Sequence, residues 1–175
     1  MRAPEIGLLA TVGSVSQIKV YAGPRKLKFG ILSSGNELVP ASTAELPPGK
    51  IRDSNKSMLI ALASQLELVE CIDLGTVGDT GAEIHNAINA AIDETKCDII
   101  VTSGGVSMGE LDLVKPYIEH QGEVFFGRLN MKPGKPTTFG QIRDTLILAL
   151  PGNPVSCFVT ASLFFAAAVS ALATG

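Results

Sequence analysis

Three loops of this 175-residue chain place carboxylates beside glycine: Glu37 in SSGNEL (33–38), Asp79 in VGDTG (77–81), and Glu110 with Asp112 in SGGVSMGELD (103–112). A fourth, PGNPVS (151–156), has the same make but offers Asn153 and Ser156 in place of an acid. Each loop follows an apolar run. Glycine leaves backbone N–H groups open, and the dipole of a following helix adds positive potential, so such loops suit a phosphate. Carboxylates beside a phosphate are most simply explained by a magnesium ion held between them. One such loop alone is an ordinary end to a strand. Four of them make a candidate site for a phosphorylated small molecule.

A fifth stretch, MKPGKPTTF (131–139), carries Lys132 and Lys135 on a turn stiffened by Pro133 and Pro136, with Arg128 just upstream. Loop lysines are usually solvated. Two on a rigid turn, in a chain with only 14 basic residues, are candidates for holding an oxyanion. The chain has no GxGxxG, and GRLNMKPGKP lacks the spacing and the hydroxyl residue of a P-loop. Net charge is −3 without basic clusters, which argues against a nucleic-acid surface. Cys71, Cys97 and Cys157 are odd in number, far apart and without a ligand-spaced histidine, so they read as reduced core thiols of a cytoplasmic protein. His85 and His120 are isolated and read as surface or helix residues.

The elements that must position these loops alternate. Leu27–Leu32, Val69–Leu74 and Asp98–Val101 read as strands, and Ser33–Lys50 as a loop. After the capping residues Asp53, Ser54 and Asn55, a helical stripe runs through Leu59, Leu62 and Leu66; a second uses Ile84, Ala87, Ile88, Ala91 and Ile92. A helix is expected from about Leu111 to Gln121, stopped by Gly122, with Pro116 tolerated only in its first turn. Shorter strands follow at Glu123–Phe126, Thr137–Ile142 and Thr145–Leu150. Strands spaced by helices predict an α/β fold with a largely parallel sheet covered on both faces, mixed at its end where the connections are short. In such a sheet ligands bind beyond the carboxyl ends of the strands, where the four loops would gather.

Residues 1–24 form an entry arm: one or two helical turns in IGLLATVG, then a strand in SQIKVY. Residues 25–175 form the α/β domain. From Val155 to Gly175 no residue is charged, which is the length of a membrane span. Its Ala, Ser and Thr content instead favours a buried helix, started by Pro154 and capped by Asn153. That helix is expected to pack within the domain, with Phe158, Leu163, Phe164 and Val169 covered and a remaining apolar side left for another copy or subdomain.

SSGNEL, GKIRDSN, LGTVGD, TSGGVSMGELD, MKPGKPTTF and LPGNPVS, in this order, resemble the central MogA-like subdomain of the molybdenum insertases. That family includes bacterial MoeA, the E domain of gephyrin and that of the plant molybdenum-cofactor enzyme. GGVSMGE followed by Asp separates the chain from the adenylylating sister branch, which has a GGTG loop. The resemblance implies a three-layer α/β/α domain that binds adenylylated molybdopterin, releases AMP with a divalent cation, and serves insertion of molybdate, in a cytoplasmic homo-oligomer, a dimer in the family. It implies that Glu37, Asp79 and Asp112 are the catalytic and metal-binding acids, and that Ser103, Gly104, Gly105 and Ser107 take the phosphate. It gives the anion side to Lys132 and Lys135, and a second substrate loop to Pro151, Gly152, Asn153 and Ser156. Asn36 stands where many bacterial relatives have Asp, which weakens that position as a metal ligand. Subdomains that flank this one in the family are expected to be absent here, and a gephyrin-like scaffold or an adenylyltransferase are the alternative functions.

Overall fold

A computed structural model describes residues 3–14, 25–106 and 112–174. A six-stranded sheet has the order β4-β1-β5-β8-β7-β6, with β1 at Leu27–Ser34, β4 at Val69–Val77, β5 at Ile99–Ser103, β6 at Glu123–Phe126, β7 at Thr138–Ile142 and β8 at Thr145–Leu150. β1 pairs parallel with β4 and β5, and β5 parallel with β8; β7 runs antiparallel to β8 and to β6. The mixed, mostly parallel sheet has the cause expected of it. Helices connect the parallel strands, whereas β7 and β8 are joined by a turn of two residues that can only return antiparallel.

Side-chain alternation divides the core into two. Phe29, Ile31, Ile99, Val101, Leu146 and Leu148 pack with Leu59 and Ala63 of α2 (Ser54–Ala63) and with Cys157, Ala161, Phe165 and Val169 of α5 (Pro154–Thr174). Leu32, Ile100, Ile147 and Ala149 pack with Ile84, Ile88 and Ile92 of α3 (Gly81–Asp93) and with Val114, Tyr117 and Ile118 of α4 (Val114–Gln121). Ile84 and Ile88 are fully buried, as their spacing predicted. The result is the three-layer α/β/α arrangement.

Several boundaries differ from the sequence reading. α2 ends at Ala63, before Leu66, because Ser64 caps it by bonding back to Ile60; Leu66 still packs on the core from the following turn. α4 begins at Val114, where Asp112 accepts from the Lys115 amide at 3.1 Å. The loop expected over 33–50 contains β2 (Leu38–Val39), which pairs parallel with β3 (Ile51–Arg52) in a small second sheet. In the entry arm, α1 covers Ala3–Thr11, and the strand expected in SQIKVY lies outside the described residues.

α5 starts as predicted, with Asn153 Oδ1 accepting from the amides of Val155 and Ser156 at 3.1 Å each. Its span Pro154–Ala173 is long and apolar enough to cross a membrane by length and composition, yet one face is packed on the sheet. Phe165 meets Phe29 edge to face at 4.8 Å. Phe158 and Leu163, expected to be covered, are exposed at 48% and 56% because they lie on the side away from the sheet; Val169 is buried and Phe164 partly so.

Candidate functional site

The loops after β1, β4, β5 and β8 lie at one edge, because those four strands are parallel. The loop 131–137 joins them there, since Thr138 at the start of β7 pairs with Ala149 at the end of β8. From β1 the chain goes outward to β4 and then crosses to β5 on β1's other side. The topological switch point therefore falls between Ser34 and Ser103, where an open α/β sheet leaves a crevice. A cavity of about 100 Å³ sits there, walled by Ser34, Glu37, Asp53, Asn55, Ser103, Gly104, Gly152 and Pro154 among others.

Gly104 and Gly105 adopt positive φ, +90° and +66°. A Cβ at Gly104 would stand 2.5 Å from the Ser34 carbonyl, and one at Gly105 3.1 Å from the Ser34 hydroxyl. The close approach that this bare loop permits is first of all with the chain's own β1. The Gly104 amide bonds to Leu150 O at 3.2 Å, and Leu113 donates to Gly105 O at 3.0 Å, so the loop is fastened to β8 and to the start of α4. Ser107 and Glu110 lie outside the described residues.

Under this edge lies a buried polar layer. Ser33, Ser34, Asp53, Asn55, Thr102 and Ser103 are all less than a tenth exposed. Asn55 donates to Ser103 Oγ at 2.7 Å and to Gly152 O at 2.8 Å, binding the loops after β5 and β8 together. Ser33 Oγ, Ser34 Oγ, Thr102 Oγ1 and Asn55 Oδ1 have no hydrogen-bond partner among the described residues. Each such atom costs about 1–3 kcal/mol, an expense characteristic of a binding site rather than a core. Sequence reading did not single out Asn55 as a site residue. It read Asn55 as a capping candidate for α2, but Asp53 fills that place by accepting from the Lys56 amide at 3.0 Å.

Of the three acids, Glu37 faces the cavity. Asp79 accepts from the Asn36 amide at 2.8 Å, bracing the β1 loop against the β4 loop. Asp112 accepts from the Lys115 amide in the first turn of α4 and opens on a separate recess lined by His85, Tyr117 and His120, where His85 stacks on Tyr117 with centroids 3.9 Å apart. Burial pushes the Asp112 carboxyl above its ordinary value, against the opposing pull of the Lys115 amide. No group of three or more His, Cys, Asp or Glu among the described residues is placed to hold a metal ion. The metal site expected of Glu37, Asp79 and Asp112 together is thus not formed by them as a set. The physical reason is that Asp79 is turned to the Asn36 amide in the loop after β1, and Asp112 to the Lys115 amide in the first turn of α4.

Lys132 and Lys135 are exposed, on a loop anchored by Leu129 N to Lys135 O at 2.9 Å and by Thr137 to Gly134 O. Of the second substrate loop, Pro151 is buried, Gly152 faces the cavity, Asn153 caps α5, and Ser156 is half-buried with its hydroxyl 3.3 Å from Asn153 Oδ1. Beneath them burial pushes the Cys157 thiol up to about 11, opposed by a hydrogen bond with Ser103. Cys71, Cys97 and Cys157 are free thiols.

Fold and site together define a ligand-binding α/β domain with its pocket at the switch point of the sheet. Residues 30–171 match the family model described as a probable molybdopterin binding domain, and the chain belongs to that family. It is 42% identical over 153 residues to a molybdopterin molybdenumtransferase of Haemophilus influenzae, covering 87% of this chain and 36% of the relative. It is 40% identical to gephyrin of Dictyostelium discoideum, covering 96% of this chain and 26% of the relative. Among solved structures, a molybdopterin biosynthesis MoeA protein of Pyrococcus horikoshii superposes with a TM-score of 0.73 at 32% identity, over 99% of this chain and 41% of that one. The chain thus spans roughly a quarter to a third of the curated relatives' length. A MoaB protein of Pyrococcus furiosus, 19% identical with a TM-score of 0.65, shares the fold.

Proposed function

We propose that this chain is the molybdopterin-binding part of a molybdopterin molybdenumtransferase, the activity named for several of its relatives. In this reading it binds adenylylated molybdopterin, releases AMP, and presents the molybdopterin for molybdate insertion. The observation that carries the reading is the convergence of five motif loops on one sheet edge, over buried hydroxyls without partners among the described residues. Release of AMP adds one water across the P–O–P bridge and leaves AMP and molybdopterin with its own terminal phosphate. Lys132 and Lys135, exposed at that edge, supply positive charge to the phosphates. The Gly104–Gly105 turn, followed in sequence by Ser107, forms the rim beneath them, and Ser103 lies in the cavity wall behind it. We assign the proton of the attacking water to Asp112, whose carboxyl burial raises, with the substrate reaching from the cavity edge to the recess on which Asp112 opens. Glu37 and Asp79 hold the β1 loop and its ligand in register. Magnesium, or another divalent ion, would be shared between the substrate's phosphates and these acids, which among the described residues form no metal group by themselves, and would supply positive charge to the phosphates. The free thiols accord with a reducing, cytoplasmic setting, and the exposed apolar side of α5 with a dimer.

The test has two parts. Calorimetry measures binding of adenylylated molybdopterin to the 175-residue chain. A chimera, in which this chain replaces the matching segment of the Haemophilus influenzae relative, is then assayed for AMP release. Binding with retained release is expected. A chain that binds no molybdopterin compound, in a chimera that folds but releases no AMP, overturns the reading.

A further inference from the structure

The charged side chains that line the switch-point cavity are two carboxylates, one of them paired with Lys56 at 4.0 Å, and one cation that is already committed. Glu37 and Asp53 are the carboxylates. The cation, Arg52, is spent on the carbonyls of Thr43 at 2.9 Å and Ala44 at 2.7 Å. Of the two helix N-termini that reach the cavity, α5 is capped by Asn153 through the amides of Val155 and Ser156, and α2 by Asp53 through the Lys56 amide. Asn55 completes the pattern. The Gly152 carbonyl can only accept, so the Asn55 nitrogen must face it, and this fixes the orientation of the amide. Both N–H groups are then used, on Gly152 O and Ser103 Oγ. The Asn55 oxygen is an acceptor in a side chain 8% exposed, without a partner among the described residues, and it belongs to a residue lining the cavity. Ser34, 6% exposed, has an unpartnered hydroxyl on the same wall.

We infer that Asn55 and Ser34 are binding residues that receive a neutral hydrogen-bond donor of the ligand, an O–H or N–H group, in this cavity, while the phosphates remain outside it toward Lys132 and Lys135. The inference rests on the proposal that this edge binds adenylylated molybdopterin. That molecule has such donors at two places, the ribose hydroxyls and the amino and ring N–H groups of the pterin. Asn55 at the same time sets the spacing of the β5 and β8 loops, so the donor and the loop position are read by one side chain.

The experiment uses the 175-residue chain with Ser34→Ala, which leaves the Asn55 tie intact, and with Asn55→Leu. Calorimetric probes are AMP, 2′,3′-dideoxy-AMP, 6-hydroxymethylpterin, inorganic pyrophosphate and adenylylated molybdopterin, and thermal unfolding verifies each variant's fold. Both variants are expected to weaken the donor-bearing probe about tenfold, as for a buried acceptor stripped of its pair, and pyrophosphate less than about twofold. If the donor is ribose, dideoxy-AMP binds wild type about tenfold more weakly than AMP and is indifferent to both variants. If the donor is the pterin, the pterin probe and adenylylated molybdopterin weaken in both variants while AMP and dideoxy-AMP do not. Equal losses for pyrophosphate and the organic probes, or no loss with any, overturn the inference. Should Asn55→Leu fail to fold, Ser34→Ala decides alone. Adenylylated molybdopterin bound equally by wild type and both variants rejects the donor pocket and leaves the proposed function standing. No binding of it by folded wild type rejects both.

Discussion

Asp112→Asn separates the two tasks given to one side chain. In the structure Asp112, just before α4, accepts from the Lys115 amide in its first turn, and burial holds its carboxyl above the ordinary value. Asparagine caps about as well as aspartate, so the substitution keeps the hydrogen bond, whereas Asp112→Ala loses it at a cost of about 1 kcal/mol. The sign of the pH effect follows from the direction of the shift. A folded-state pKa above the unfolded one means that the native chain holds more protons in that window, so wild-type stability falls as pH rises from the ordinary Asp value through the raised one. Asp112→Asn removes this loss. Its stability relative to wild type should therefore rise across the acidic window and stay level above it. Urea unfolding at a series of pH values measures this, with Asp112→Ala as the cap control. In the chimera, Asp112→Asn should lower AMP release by about 10²-fold, the low end for a positioned acid–base group. Two results would refute the reasoning. One is an Asn variant as unstable at neutral pH as the Ala variant, and the other is undiminished AMP release.

Gly104→Ala should lower stability by about 2 kcal/mol, since it combines a left-handed backbone with a Cβ only 2.5 Å from Ser34 O; urea unfolding would show an unchanged midpoint if the loop simply moves aside. Phe165→Ala should cost about 3–5 kcal/mol because the ring is buried against Phe29, whereas Phe158→Ser should cost under about 1 kcal/mol and reduce association seen by light scattering. Wild-type chain floating with liposomes would contradict the packed role of α5. Lys132→Ala with Lys135→Ala should leave the melting temperature in place and weaken pyrophosphate binding, with a smaller salt dependence. Alkylation at pH 8 should reach half-buried Cys71 well before Cys97 and Cys157, whose thiols burial pushes up to about 11.

The sequence by itself determined whatever depends on neighbours along the chain. The 3.6-residue stripe of Ile84, Ile88 and Ile92 placed α3, the apolar runs placed β1, β4 and β5, and Asn153 before Pro154 marked the start of α5. Parallel strands then sent the motif loops to one edge, which the strand–helix alternation already implied. Only the tertiary structure decided what depends on residues far apart in sequence. The β2–β3 pair was hidden because strands of two residues carry no period. Asn55 gave no local sign of its role, since its partners Ser103 and Gly152 are 48 and 97 positions away. Spacing reports that Asp79 and Asp112 follow glycine loops, but not where their oxygens turn; one oxygen of each accepts from a backbone amide. The bare turn at Gly104 was legible as a place of close approach. That its first neighbour is Ser34, one strand over, is set by the register of β1 against β5, and register is a property of the folded sheet.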